Sequence, residues 1–215
     1  ELSYQCIHPV GRFLNNIFSL FLMVMIGVSV IAYILIPYIV PSVFPGFEPS
    51  QYESLISLSR ILLLSPILLG FSNLLASVTQ VYKRFFIYAL SPVLYNVGII
   101  LGTLFLYPRF GVRGLVFGVL LGALGHLLIQ IPFVVKTGLF PRPSFSIDFT
   151  SIRKVVIHSL PRTLALGSNE IAQFVLISLA SLMSIGSISV FIFSLNLQSV
   201  PLNIIGISSS NFLKK

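Results

Sequence analysis

Within the run PRTLALGSNEIAQFVLISLASL, which begins at Pro161, four residues carry charge or amide groups in a stretch otherwise fit for hydrocarbon: Arg162, Asn169, Glu170 and Gln173. A guanidinium is the side chain best shaped to grip phosphate or carboxylate oxygens, and amides can complete the polar wall around such a group. At 100° per residue, Asn169 and Gln173 each fall 20° from Arg162, on opposite sides, so the three share one face of a helix. Glu170 is turned by 80° and lies too far along the axis to pair with Arg162, so its partner is expected on another helix. An acid at the centre of a spanning helix costs about 2.5 to 3.5 kcal/mol on insertion scales, which argues that it faces protein or water. The competing reading for all four is a packing contact between helices, which stands level with function for the amides and behind it for the charged residues.

Two further stripes have the same character. In SVFIFSLNLQSVPLNIIGISSS the residues Asn196, Ser199 and Asn203 fall on one side, with Pro201 near the middle. A proline there frees a carbonyl, which is tolerated when it faces protein or a water-filled cavity. In GLVFGVLLGALGHLLIQ the residues Gly114, Gly118, Gly122, His126 and Gln130 recur every fourth position, so a glycine groove leads to an imidazole and an amide. Another helix can approach closely there. His126 then has two readings, a proton-relay or substrate contact and an interhelical hydrogen-bonding group. Arg60 also has two, an electrostatic contact for an anionic head group and a side chain that snorkels to the interface.

Other chemistry is excluded by what these stretches lack. No GxxxxGK[ST], HExxH or GxSxG occurs, nor a GxGxxG after a strand, so nucleotide, zinc-protease and serine-hydrolase readings have no motif. The loop KTGLFPRPSFSIDFTSIRK is too small for a soluble catalytic domain. The reading is therefore not an enzyme. Cys6 is the one cysteine, so no multi-Cys metal site forms and no metal or cofactor is implied.

The elements that must position these groups follow from composition. Only 8% of residues are charged and 56% are hydrophobic, with a mean hydropathy of +1.01, far from the globular balance of about a quarter charged. The fold class is all-α: a polytopic transmembrane helix bundle. Six apolar segments, near residues 14–40, 55–79, 86–107, 114–135, 157–182 and 188–210, are each long enough for a bilayer core of about 30 Å, and form a single transmembrane domain over 1–215. The first is expected to end at Pro37 and Pro41. The net charge of +8 could point to nucleic acid, but the basic residues punctuate the apolar runs instead of forming a face, so they report topology. Arg12, Lys83, Arg84, Lys136, Arg142, Arg153, Lys154, Lys214 and Lys215 fall on one side, against Arg109 and Arg113 on the other. By the positive-inside rule both ends lie in the cytoplasm and the chain is a multi-pass protein of the cytoplasmic membrane. It opens ELSYQCIHPVGR without Met, and its first apolar run is too long for a signal peptide, so the true start is expected upstream.

Several stretches resemble the MviN/MurJ family of lipid II flippases, within the MOP superfamily that also holds MATE and Wzx-type exporters. They are PSVFPGF, SPVLYNVGIILGTLFLYPRFGVRGLVFGVLLGALGHLLIQIP, LPRTLALGSNEIAQFVLISLASL and GSISVFIFSLNLQSVPLNIIGIS, in this order along almost the whole chain. The resemblance implies a fragment covering the third to eighth of about fourteen helices of a two-lobed flippase. It implies a function too: moving a lipid-linked peptidoglycan precursor by alternating access, with that precursor and the bilayer as partners and no nucleic acid. Arg60 and Arg162 are then the contacts for its diphosphate, with Asn169, Gln173, Asn196 and Asn203 as hydrogen-bonding wall. Glu170 is the group available to couple an ion or hold an arginine. Alternatives are another lipid-linked oligosaccharide, a drug, or a non-transporting scaffold. The chain departs from the family in three ways: it lacks the first two helices, which supply arginines to a central cavity; it has Leu195 and Asn196 where many members carry an Asp-Arg pair; and it ends in SSSNFLKK.

Overall fold

Proline placement accounts for two of the breaks between helices. In the computed structural model, which describes residues 2–144, 149–184 and 186–212 and the side chains of 10–144, 153, 156–184 and 186–201, the helices are α1 (Leu2–Val43), α2 (Pro49–Leu62), α3 (Leu64–Val81), α4 (Phe85–Leu101), α5 (Tyr107–Phe110), α6 (Val112–Leu128), α7 (Ile131–Lys136), α8 (Phe149–Ala180) and α9 (Ser187–Phe212), with one π-helical turn, Gly102–Leu106, joining α4 to α5. No strand occurs among the described residues. A proline cannot bond the carbonyl four residues back, and its ring crowds it. Pro66 therefore coincides with the break between α2 and α3 just after Leu62, and Pro132 with the break between α6 and α7 after Leu128.

Six predicted spans correspond to these segments in order. Five, Val10–Val43, Pro49–Val81, Phe85–Phe110, Val112–Lys136 and Val156–Ala180, are long and apolar enough to cross a membrane, and α9 contributes the shorter apolar stretch Ser187–Pro201. One boundary differs from expectation. The first helix does not stop at Pro37 and Pro41 but runs through both to Val43. The carbonyl that Pro37 leaves unbonded belongs to Tyr33, and it accepts a hydrogen bond of 3.4 Å from Arg60 Nε, so the interruption is repaired by a neighbouring helix. The fifth span begins at Val156, beside the expected 157, on a helix that already runs from Phe149, since FTSIRKVV contains neither glycine nor proline to prevent one.

The chain divides into two compact units, one of residues 1–37 and 53–158, the other of 38–52 and 159–215. The first is centred on α3, α4, α6 and α7. Gly98 and Gly102 face Gly122 and Gly118 so closely that a β-carbon on any of them would collide with the opposing backbone, and Gly114 meets the backbone of Leu106 and Tyr107. The tight turn into α6 needs Gly111, at φ +58°, a conformation that costs other residues. Beside this contact lies an apolar cluster of Leu75, Val78, Leu127, Val134 and Leu139. The segment after α7 is fastened to α1 where Arg142 N donates to Asn15 Oδ1 and Ser144 N to Ser19 Oγ, both at 2.7 Å.

In the second unit the turn after α1 is seated on the end of α8. Phe44 meets Phe174 edge-on, Ser178 Oγ donates to the Val43 carbonyl, and a side chain at Gly46 would strike the carbonyl of Ser181. Tyr52 closes the turn by donating to the Phe44 carbonyl at 2.7 Å. This gives PSVFPGF a physical role: only a glycine at its sixth position lets the turn lie flat on α8.

Candidate functional site

The polar residues of α8 ride on one unbroken helix that continues through Pro161. The shared face of Arg162, Asn169 and Gln173 therefore holds by helical geometry. Arg162, Asn169 and Glu170 are exposed and Gln173 is half-buried. Leu164, Leu166, Ile171 and Phe174 are exposed as well, so packing within the unit covers the described part of α8 only at its end, where the turn after α1 meets Phe174 and Ser178. Neither Arg162 nor Glu170 forms an ion pair among the described residues, and the partner expected for Glu170 is not among them. The small hydroxyls are turned back onto the helix, Thr163 to the Ser159 carbonyl at 3.0 Å and Ser168 to that of Ala165 at 2.8 Å, which leaves the longer polar side chains to present hydrogen-bonding groups outward.

On α9, Asn196 and Ser199 are both exposed. Ser199 Oγ donates to the Asn196 carbonyl at 2.7 Å, so its proton is engaged locally while the Asn196 amide is free among the described residues. Asn203 lies on the same helix, its side chain outside those described.

The two remaining sequence candidates belong to the first unit. Arg60 sits with its guanidinium carbon 4.3 Å from the centre of the Tyr33 ring, a cation–π contact, in addition to its bond to the Tyr33 carbonyl. His126 continues the glycine stripe of α6 but meets α3: Ser72 Oγ lies 2.6 Å from its Nδ1 and donates to its carbonyl at 2.9 Å. Gln130 Nε2 donates to the same Ser72 oxygen at 2.9 Å. Ser72 and Gln130 are fully buried, and Gln130 Oε1 has no hydrogen-bond partner among the described residues. With the serine proton given to the carbonyl, the ring proton belongs on Nδ1 and is donated to Ser72. The geometry favours the interhelical reading of His126. Ser72 was not a sequence candidate; the signal was the small-residue spacing Ser72, Ala76 and Thr79 on α3, all buried.

Because Ser72 serves two partners away from water, Ser72→Ala is expected to lower stability by about 1 to 3 kcal/mol, the desolvation cost of orphaned polar groups. Gln130→Met removes the unpartnered oxygen and keeps the volume, and is expected to stay within about 1 kcal/mol of the parent. Thermal unfolding of the purified protein in detergent compares them. Equal losses in both variants would contradict the assigned network.

These features define a multi-pass α-helical membrane protein with ionisable and amide groups set into its spans. The family model described as "Lipid II flippase MurJ" matches residues 3–213. Among curated proteins, the "Probable lipid II flippase MurJ" of Buchnera aphidicola is 28% identical over 79% of this chain and 34% of its own length. That of Aquifex aeolicus is 26% identical over 94% of the chain and 40% of its own. That of Borreliella burgdorferi is 32% identical over 73% and 31%. The chain belongs to the MurJ family, and spans about a third to two fifths of the length of these relatives.

Proposed function

We propose that the protein containing this chain moves a lipid-linked peptidoglycan precursor, lipid II, across the cytoplasmic membrane, and that it is a carrier and not an enzyme. The observation that carries this reading is the family match over residues 3–213, together with relatives that bear the name of lipid II flippases. The cargo pairs an anionic diphosphate-sugar head with a long hydrocarbon tail, so a carrier needs a cationic, hydrogen-bonding surface within apolar spans. Arg162 supplies the charge, and Asn169 and Gln173 on the same face supply hydrogen bonds. Asn196 and Ser199 of α9 supply further hydrogen-bonding groups, with Asn203 further along the same helix past Pro201. Glu170 is the group available to exchange an ion or to hold an arginine during the cycle.

Alternating access would rock two bundles around that polar surface, with both ends of this chain in the cytoplasm, as the distribution of basic residues supports. The test is a flipping assay with the full-length protein in vesicles containing a fluorescent lipid-linked disaccharide diphosphate. Protein-dependent transfer of the head group between leaflets is expected. A rate equal to that of protein-free vesicles would overturn the assignment.

A further inference from the structure

Beneath Arg60 an apolar groove of about 310 Å³ opens between α1 and the junction of α2 with α3, walled by Ile26, Val30, Leu63, Leu64 and Ile67. Above it a second cavity of about 530 Å³ is shared by Arg60, Tyr33, Ser57 and Glu53. The two helices run antiparallel here. Arg60 lies level with Tyr33, and Ile67 with Ile26, seven residues or roughly 10 Å further along each helix. Arg60 also marks a change of solvent on its own helix: Ser50, Gln51, Glu53, Ser54, Ser57 and Ser59 precede it, and the apolar run ILLLSPILLGF follows. Such a boundary is where a bilayer passes from head groups to acyl chains.

The head-group cavity holds charges of both signs. The Tyr33 carbonyl takes only the Arg60 Nε–H and the ring fixes the plane of the guanidinium, so its terminal nitrogens remain as donors. Glu53 is exposed and makes no ion pair among the described residues. Glu53 and Arg60 stand about two helical turns apart on α2 and line the same cavity, so a ligand complementary to both needs a phosphate for Arg60, a hydrogen-bonding cation on a short arm reaching toward Glu53, and a hydrocarbon chain for the groove.

We propose that this is a binding site for an ethanolamine phospholipid of the surrounding bilayer. Its phosphate lies on Arg60, its primary ammonium on Glu53, and one acyl chain runs down the groove from Leu63 to Ile67. Phosphatidylglycerol satisfies Arg60 but sets no cation against Glu53. Phosphatidylcholine has the two charges, but its quaternary ammonium has no N–H to donate. The kink at Leu63 makes the room, and the repair of the Pro37 gap by Arg60 holds the cation at its mouth.

The full-length protein is purified, exchanged into detergent containing equal amounts of phosphatidylethanolamine, phosphatidylglycerol and phosphatidylcholine with matched chains, and the retained lipid is counted by native mass spectrometry. The parent is expected to retain phosphatidylethanolamine over each competitor by about threefold, the factor given by partly exposed charge pairs. Glu53→Gln is expected to bring phosphatidylethanolamine and phosphatidylglycerol within about twofold of each other, and Arg60→Ala to lower retention of all three lipids, since each carries the phosphate, with phosphatidylglycerol losing its one charged contact. Equal retention of all three by the parent, a preference for phosphatidylglycerol, or no change in either variant overturns the proposal. So does loss of flipping in Arg60→Ala with lipid selectivity intact, because Arg60 would then serve the transported head group.

Discussion

Gly118→Leu is expected to leave almost no folded protein, because the contact between α4 and α6 has no room for a side chain. A β-carbon at Gly118 already meets the Cα of Gly102, and one at Gly102 meets Gly118 in return. Helices in a bilayer gain little from the hydrophobic effect, since lipid is as apolar as leucine, so their association rests on close van der Waals contact of this kind. Opening the contact by a methyl group costs about 1 to 3 kcal/mol, a typical penalty for overpacking, and the same register also holds Gly98, Gly114 and Gly122 in place. Gly118→Ala is therefore expected to lower stability by about that amount, with leucine well beyond it. Gly125 is an internal control on the same helix: a β-carbon there lies 3.6 Å from Leu94 Cβ, an ordinary contact, so Gly125→Ala is expected to be neutral or stabilising by up to about 1 kcal/mol through helix propensity. Size-exclusion profiles and thermal unfolding of the detergent-purified protein measure both. If the two alanine variants unfold alike, the glycine contact is not what joins these helices.

The four-residue spacing of Gly114, Gly118 and Gly122 was legible as a groove because small residues on one helical face have few other uses in a membrane span. Its partner was not, since Gly98 and Gly102 are separated by a single repeat in a run that also contains Pro92 and is continued by a π-helical turn. The six helices, five of them long and apolar enough to span, were legible from hydropathy, which needs only the run of apolar residues. Their ends were less so: Pro37 looked like a terminator, yet the helix continues, with the freed carbonyl taken by Arg60, distant in sequence. His126 and Gln130 stood out as polar groups in an apolar helix, but their purpose depended on Ser72, fifty-four residues from His126. The residues of α8 show the converse. Their common face follows from sequence periodicity, whereas neither Arg162 nor Glu170 meets an ion-pair partner among the described residues, so helix geometry alone assigns them a direction and no partner.

For that reason the decisive variant lies on α8. Arg162→Ala in the full-length protein is expected to reduce flipping of the lipid-linked diphosphate by about tenfold to a hundredfold, since a hydrogen bond to a charged group contributes about 1.5 to 3 kcal/mol and each 1.4 kcal/mol is a factor of ten. Arg162→Lys keeps the charge but not the planar fork, and is expected to recover only part of the rate. Stability provides the necessary contrast: Arg162 is exposed and is paired with nothing among the described residues, so its removal should change unfolding by no more than about 0.5 kcal/mol. A defect in transport without a defect in folding is the signature of a residue that contacts cargo. If Arg162→Ala flips its substrate at the parental rate, the polar face of α8 is a packing surface, and the positive charge that handles the diphosphate must come from elsewhere in the protein.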